Sequence, residues 1–213
     1  MKETDVIIIG GGPVGLFAVF ELGLHGMRSE IIDILDKPGG QCAELYPEKP
    51  IYDIPAVPEC TGQGLTDSLL QQIKPFDYNL NLNQMVVEVY KDEDGKFVVK
   101  TDEGNEFKAP AICIAAGGGS FMPKKPPITN ISEYEDQSVF YAVRKRDKFK
   151  DKKLIIVGGG DSALDWTINL QPIAKKITLI HRRNQFRAAP DSVAKMRKLE
   201  EERKIDFIQG QVS

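Results

Sequence analysis

Glycines at two places in this chain have the spacing of loops that bind the phosphates of a dinucleotide. The first loop follows the apolar run Val6–Ile9, which predicts a short buried strand, and precedes apolar positions from Leu16 to Leu22, which predict a helix. A strand, glycines spaced G-x-G-x-x-G and a helix together predict a dinucleotide site, because the helix N-terminus faces the phosphates. The residues expected to contact the cofactor here are Gly10, Gly12, Pro13 and Gly15.

The same pattern returns in the second half of the chain, which makes it an internal repeat. Lys153–Val157 predicts a strand and Leu164–Leu170 predicts a helix, and the loop between them carries alanine at the third glycine position. The predicted binding residues of this second loop are Gly158, Gly160, Asp161, Ser162 and Ala163.

The two copies differ where a cofactor ribose is bound. Asp33 lies 23 residues after Gly10, where a carboxylate accepts hydrogen bonds from ribose hydroxyls, and Asp36 is the alternative. His181 lies at the same interval, 23 residues after Gly158, and is followed by arginines. The role of His181 itself is open: its ring could stack, it could cap, or it could have no role. Guanidinium groups bind a 2′-phosphate that a carboxylate would repel, so the second copy is predicted to prefer NADP to NAD, a solvated basic strand end being the alternative. The arginines are Arg182, Arg183 and Arg187.

Further ligand contacts are predicted next to the first copy. Gly40 and Gln41 follow the predicted ribose strand, and Tyr46 comes shortly after, so an amide and a ring could meet a flat group. A turn and a half-buried aromatic are the alternative, and prolines keep the following stretch, up to residue 59, irregular. Gly117 follows the apolar run Ala111–Ala115, predicted as a buried strand, and allows a ligand to approach closely unless it is a hinge.

The remaining periodicities complete an α/β pattern. The further predicted elements are a strand over Met27–Leu35, a helix over Gly64–Ile73, a hairpin of Leu80–Tyr90 and Lys96–Thr101, a short strand opening at Phe107, a strand over Ile177–Ile180, a helix over Ala189–Arg203 and a strand over Lys204–Ile208. We therefore predict two Rossmann-like dinucleotide-binding domains of the three-layer ββα kind, divided near the linker at 124–127. Residues 1–117 would form the first domain and residues 118–213 the second.

Composition excludes several other classes of protein. The 213 residues carry a net charge of −3, so bulk charge indicates no nucleic-acid partner, and no apolar run is long enough to span a membrane. The N-terminus lacks the apolar core of a secretory signal. The three cysteines form no C-x-x-C, are predicted to be reduced thiols in a cytoplasmic protein, and no metal site is predicted.

Two dinucleotide sites of different preference predict a flavoenzyme. FAD would occupy the carboxylate site and NADPH the arginine site, with hydride passing from the nicotinamide to the flavin. The cofactors carry this chemistry themselves, so no catalytic side chain is predicted.

These residues resemble a known family. The stretches GGGPVG, PGGQ, LYPEK, IYD, GGGDSALDW and HRRNQFRA are similar to those of the thioredoxin-reductase-like (type 2) ferredoxin–NADP reductases, within the pyridine nucleotide-disulfide oxidoreductase-like superfamily. PGGQ and HRRxxFRA also occur in thioredoxin reductases, whereas LYPEKPIYDIP is more specific. The segment at 139–146, where thioredoxin reductases carry their redox C-x-x-C, holds no cysteine here. The resemblance therefore implies single-electron transfer from the flavin to a ferredoxin iron–sulfur cluster.

The resemblance also assigns roles to single residues. Asp33 would bind the FAD ribose, although similar proteins commonly have the longer Glu there, and Gln41 would lie beside the flavin. Tyr46 would stack on the isoalloxazine, the backbone of Val86 would meet the adenine, and Phe121 would make another FAD contact. The family is longer and its chain returns to the FAD domain. The resemblance therefore implies that residues 1–117 are the first segment of a discontinuous FAD-binding domain and residues 118–213 an incomplete NADP-binding domain. It also implies that this chain is an N-terminal fragment of a homodimeric enzyme and binds FAD weakly or not at all by itself.

Two other functions and one surface remain open at this point. The chain could belong to an NADPH-dependent flavin, quinone or ferric reductase, or it could be a non-catalytic nucleotide-binding module. The basic segment Arg144–Lys153 could dock an acidic ferredoxin, or it could be a solvated connector.

Overall fold

The structure is a computed structural model that describes residues 1–119, 123 and 125–212. The chain divides into two compact units, Met1–Met122 and Pro123–Ser213, here called the N-terminal and C-terminal units. This division lies close to the predicted boundary at 117–118. The cofactor that each domain binds remains a prediction.

The N-terminal unit contains three helices and ten short strands among its described residues. The helices are α1 (Pro13–Leu24), α2 (Gly40–Leu45) and α3 (Gly62–Ile73). The strands are β1 (Lys2–Glu3), β2 (Val6–Ile9), β3 (Ser29–Ile32), β4 (Pro50–Ile51), β5 (Cys60–Thr61), β6 (Tyr78–Asn81), β7 (Val86–Lys91), β8 (Phe97–Thr101), β9 (Glu106–Ala109) and β10 (Ala111–Ile114).

A parallel sheet of order β10-β2-β3-β6 forms the centre of this unit. Because side chains alternate along a strand, β2 buries Ile8 against the helical side with Leu16, and Ile7 against the opposite side. That opposite side is covered by a second sheet of order β1-β9-β8-β7, which contributes the fully buried Val99 and Phe107. The unit therefore has the predicted three layers.

Three predictions about this unit were wrong in detail. The predicted strand Leu80–Tyr90 is two strands in different sheets, because Asn83 has a left-handed backbone (φ 56°) that breaks the run between β6 and β7. The apolar strand β10 is not fully buried: it lies at the edge of its sheet, and Ile114 is 72% exposed. The short helix α2 was not predicted, and the proline-rich stretch after it pairs briefly as β4 and β5.

The C-terminal unit repeats the strand–helix–strand arrangement. Its elements are β11 (Lys153–Val157), α4 (Asp161–Leu170), β12 (Lys176–His181), α5 (Pro190–Glu201) and β13 (Asp206–Gln209), preceded by 3₁₀ turns at Ile131–Tyr134 and Arg146–Phe149. The strands form a parallel sheet of order β11-β12-β13, and the two helices pack on it through Leu164, Leu179 and Met196. All three predicted strands and both predicted helices of this half are confirmed to within a few residues.

One side of the C-terminal sheet has no second layer in the part of the chain that the structure describes. Ile155 and Val157 of β11 and Ile208 of β13 are 69%, 57% and 50% exposed. The described residues of this unit thus supply two layers rather than three. Among the described helices of both units, none is long and apolar enough to cross a membrane.

Candidate dinucleotide-binding sites

The first glycine turn links β2 to α1 and needs glycine for steric reasons. Gly10 has φ 108°, and a side chain there would overlap the carbonyl of Ala115, while its N–H donates to the Ile32 carbonyl at 2.8 Å. Pro13 occupies the first position of α1, and no side chain caps the helix. The uncapped N–H groups of this helix end are suited to bind a phosphate.

Asp33 lies directly after β3 and contacts the glycine turn. Its Oδ2 accepts a hydrogen bond from the backbone N–H of Gly11 at 2.5 Å, and its Oδ1 accepts one from Leu35 at 2.9 Å. A carboxylate has about four acceptor positions, so each oxygen can also accept a ribose hydroxyl. The site therefore fits the ribose of a dinucleotide, and the alternative, Asp36, is exposed beyond it.

The loop after Asp33 folds back onto the glycine turn. The backbone N–H of Gly39 donates to the Gly11 carbonyl at 2.8 Å, and Gly40 lies so close that its Cβ, if present, would be 2.9 Å from the Cα of Gly12. Gln41, the next residue, places its amide nitrogen 3.0 Å from where a Cβ of Gly118 would lie, beside Gly117. These predicted residues are thus brought together at the carboxyl ends of β2, β3 and β10.

Tyr46 lies at the C-terminal end of α2. Its hydroxyl is 3.4 Å from the Sγ of Cys42, and the Lys49 ammonium lies 5.4 Å from the centre of its ring. Burial and the hydrogen bond with Cys42 raise the pKa of Tyr46 well above its ordinary value, so the phenol is neutral. The half-buried ring keeps part of its surface accessible, and its stacking on a flavin remains a prediction.

Two other predicted FAD residues have different outcomes. Val86 opens β7 close to the ribose position, because the backbone N–H of Gln84 donates to the Asp33 carbonyl at 3.0 Å. Phe121 lies outside the described residues.

The second glycine turn links β11 to α4 and resembles the first in its backbone bonds. Gly158 donates its N–H to the Ile180 carbonyl at 3.0 Å, as Gly10 does to Ile32. No side chain caps α4 at Gly160, and Ser162 is exposed in the first turn of the helix. Asp161 instead holds the returning loop, since its Oδ1 accepts from the backbone N–H of Ala189 at 2.8 Å.

His181 covers the second turn rather than projecting into solvent. A Cβ at Gly159 would overlap its imidazole ring, and its Nε2 lies 3.2 Å from the Gln185 carbonyl. Arg182 and Arg183 are exposed next to it and line a cavity of about 680 Å³ with Gln209, Gly210 and Gln211. Arg187 lines a smaller cavity of about 180 Å³ with the same arginines.

These three arginines are available for an anion. Within the described ranges, none of them forms a salt bridge with a carboxylate of this chain. A cluster of exposed guanidinium groups fits a phosphate, which it can bind through paired N–H donors.

Sequence reasoning missed the backbone hydrogen bonds that join each loop to its glycine turn. Gly39 bonds to Gly11 in the first copy, and Arg187 donates its backbone N–H to the Gly159 carbonyl at 2.8 Å in the second. Both pairs are 28 residues apart, so equal spacing in the two copies was the signal that could have found them.

Comparison with known proteins gives this geometry a family. The model of the pyridine nucleotide-disulphide oxidoreductases matches residues 4–212. This chain belongs to that family. Membership in the pyridine nucleotide-disulphide oxidoreductases confirms the predicted superfamily.

The relatives of this chain within the family carry a common name. A ferredoxin–NADP reductase of Nitrobacter hamburgensis is 62% identical over 211 residues, which cover 99% of this chain and 62% of the relative. A ferredoxin–NADP reductase of Mesorhizobium japonicum has the same identity and coverage. The chain thus spans less than two thirds of the length of the curated relatives it matches.

Two solved structures confirm the predicted fold class. The thioredoxin reductase of Lactococcus lactis matches with a TM-score of 0.80 and 25% identity, over 96% of this chain and 64% of that protein. The thioredoxin reductase of T. acidophilum matches with a TM-score of 0.81 and 20% identity, over 98% of this chain and 64% of that protein.

Proposed function

We propose that this chain is the nucleotide-binding part of an FAD-dependent NADPH:ferredoxin oxidoreductase. The observation that carries the proposal is the register of the two glycine turns, with Asp33 after β3 in one copy and an arginine cluster after β12 in the other. A carboxylate suits the unphosphorylated ribose of FAD, and guanidinium groups suit the 2′-phosphate of NADPH. The relatives named ferredoxin–NADP reductases support the same assignment.

The N-terminal unit would hold FAD, which when bound accepts hydride and passes electrons on singly. The N-terminus of α1 would bind the pyrophosphate, and Asp33 would orient the ribose. Gln41 and Tyr46 would border the flavin, and the backbone at Val86 the adenine. The neutral phenol of Tyr46 suits this position, because an aromatic face without charge stacks on a flat ring without electrostatic cost.

The C-terminal unit would hold NADPH at the N-terminus of α4. Arg182, Arg183 and Arg187 would bind the 2′-phosphate, and the unpaired state of these side chains in the described residues supports this role. Each charge-assisted hydrogen bond contributes about 1.5–3 kcal/mol, which is enough to separate NADPH from NADH.

The decisive experiment replaces Arg187 by alanine in the full-length protein. We expect the KM for NADPH to rise about tenfold or more, with the KM for NADH unchanged, because only NADPH carries the 2′-phosphate. Lys198→Ala, which removes an exposed charge from α5, is the matched control and should leave both KM values alone. Equal losses for NADPH and NADH in the Arg187 variant would contradict the assignment.

The acceptor of the electrons is inferred from the names of the relatives and from the absent thiol pair. Residues 139–146 contain no cysteine, so a disulfide relay cannot operate there. Assays of the full-length protein with ferredoxin and with free flavin, quinone or ferric acceptors would test the choice. Inefficient ferredoxin reduction would favour the second candidate, a reductase of free acceptors.

Only part of the basic segment Arg144–Lys153 is suited to dock a partner. Arg144 and Lys145 are exposed, whereas Arg146 donates to the Asn169 carbonyl at 2.8 Å and so supports the end of α4. Charge reversal at Arg144 and Lys145 in the full-length protein should raise the KM for ferredoxin and weaken its salt dependence. Unchanged values would leave this segment a solvated connector.

We also infer that the full-length protein is a cytoplasmic homodimer. The three described cysteines are free thiols, which supports a reducing compartment. The homodimer rests on the family resemblance.

A further inference from the structure

The arginine-rich turn after β12 is stabilised by a stack of side chains that begins in the HRRNQFRA segment and continues onto β13 and α5. The ring of His181 is tilted against Phe186 at 5.3 Å, and Phe186 lies 5.4 Å from Phe207 of β13. The guanidinium of Arg197, on α5, lies over both phenylalanine rings, 5.2 Å from the centre of Phe186 and 5.0 Å from that of Phe207. Both distances are within the range of a cation–π contact.

Arg197 also bonds directly to the turn. Its Nη2 donates to the backbone carbonyl of Asn184 at 3.2 Å and to the side-chain Oδ1 of the same residue. Its Nη1 forms a salt bridge of 2.7 Å with Glu200, one turn along the same helix. One side chain thus connects the turn, β13 and α5.

Two residues that Arg197 contacts lie between Arg183 and Arg187, which are proposed to bind the 2′-phosphate. Asn184 directly follows Arg183, and Phe186 directly precedes Arg187. The bond to the Asn184 carbonyl and the packing on the Phe186 ring therefore restrict the Cα positions of both arginines. The other side of the turn is fixed by the bond from the Arg187 N–H to the Gly159 carbonyl.

The charge of Arg197 is compensated, unlike the charges of the turn. Glu200 neutralises this charge at 2.7 Å, and the side chain of Arg197 is only 31% exposed. Its direct attraction for a phosphate is therefore reduced, and its effect must come mainly from geometry.

We propose that Arg197 is a positioning residue for NADP specificity. It orders the turn before the ligand binds, so that Arg183 and Arg187 already face the position of the 2′-phosphate. The inference rests on the proposed NADP site. Without Arg197, the turn is ordered only when the phosphate binds, and that ordering lowers the affinity. The loss should fall on ligands with a 2′-phosphate and spare those without it.

The test compares two probes with the full-length protein by calorimetry: 2′,5′-ADP, which carries the 2′-phosphate, and 5′-AMP, which lacks it. We expect Arg197→Met to weaken 2′,5′-ADP binding about tenfold, with 5′-AMP binding unchanged. Arg197→Lys should lose nearly as much, because an ammonium cannot lie flat on two rings and bond both oxygens of Asn184. Lys198→Met is the control and should bind both probes like the wild type.

Each outcome separates the inference from the proposed function. If the wild type does not prefer 2′,5′-ADP, both fail. If it does, and Arg187→Ala loses the preference while Arg197→Met keeps it, only the positioning role is overturned. If Arg197→Lys keeps the full wild-type preference for 2′,5′-ADP over 5′-AMP, the effect of Arg197 is one of charge, and the positioning role is overturned as well. Should the Met variant fail to fold, the Lys variant decides alone. Across the variants, the ratio of the KM values for NADPH and NADH should change in parallel with the ratio of the dissociation constants for 2′,5′-ADP and 5′-AMP.

Discussion

Ile7 and Ile155 occupy equivalent places in the two copies, each three residues before the first glycine of its turn, yet their surroundings are opposite. Ile7 is fully buried beneath β8 and β9, whereas Ile155 is 69% exposed on a bare side of its sheet. The strands, the turns and the helices beside them are alike in both copies. Local sequence therefore specifies the nucleotide-binding half of each unit, and a separate sheet decides whether the other side is covered.

The copies also differ at the ribose position while sharing the frame around it. Gly39 and Arg187 both donate a backbone N–H to the second glycine of their turn at 2.8 Å. Asp33 bonds to its turn through a carboxylate, and His181 packs its ring on the equivalent glycine. The same backbone thus presents a negative site in one copy and leaves a positive one exposed in the other.

The largest expected effect comes from comparing the covered side of the N-terminal sheet with the exposed side of the C-terminal sheet. Ile7→Ala should lower the free energy of unfolding of the 213-residue chain by about 4 kcal/mol, because it leaves a cavity between two sheets. Ile155→Ala should change it by less than about 0.5 kcal/mol. Urea unfolding followed by circular dichroism measures both. Similar losses at the two positions would mean that the bare side is covered in solution.

The third glycine position gives the next largest effect. A Cβ at Gly15 would overlap the carbonyl of Gly10, so Gly15→Ala should lower the free energy of unfolding by about 3 kcal/mol. In the second copy Ala163 already occupies this place, and Ala163→Gly should cost only about 1 kcal/mol. Trp166, the one tryptophan, lies on α4. Its fluorescence in urea follows unfolding around Ala163, and circular dichroism follows the chain as a whole. A Gly15 variant as stable as the wild type would contradict the steric argument.

The ribose position should have an intermediate effect. Asp33→Ala removes the partner of the buried Gly11 N–H and of Leu35, so we expect a loss of about 2 kcal/mol in urea unfolding. Asp36→Ala, at an exposed position, is the control and should be neutral. His181→Ala should cost about 1 kcal/mol, because it loses packing rather than charged hydrogen bonds. A neutral Asp33 variant would show that its bonds to the turn are not needed for folding.

The smallest expected effect concerns pH. Because the pKa of Tyr46 is raised in the folded state, unfolded chains release this proton first as pH rises above the ordinary tyrosine value of about 10. The stability from the buried phenol is complete below that pH and is lost above it. Tyr46→Phe should therefore weaken the alkaline decline in stability, measured by urea unfolding at a series of pH values. An identical decline in both proteins would place the Tyr46 pKa near its ordinary value.

The predictable parts of this molecule are those that depend on local geometry. Strand β2, helix α1, strand β11 and helix α4 were predicted because glycine spacing and apolar periodicity act within a few residues. The division of Leu80–Tyr90 was not predicted, because β6 and β7 join different sheets and only the partners of each strand reveal this. The exposure of Ile114 was missed for the same reason. An apolar strand is covered by neighbours at the centre of a sheet but can be exposed at its edge, and the sequence of the strand does not say which place it takes.

The sequence by itself determined the two nucleotide-binding turns, their equal spacing and the contrast between Asp33 and the arginines, since these follow from residue type and short-range backbone geometry. Only the tertiary structure decided which side of each sheet is covered, where His181 packs, and that Arg197 joins the arginine-rich turn to β13. Those features depend on residues far apart in the chain. Their contacts form only when the folded backbone brings them within a few ångströms.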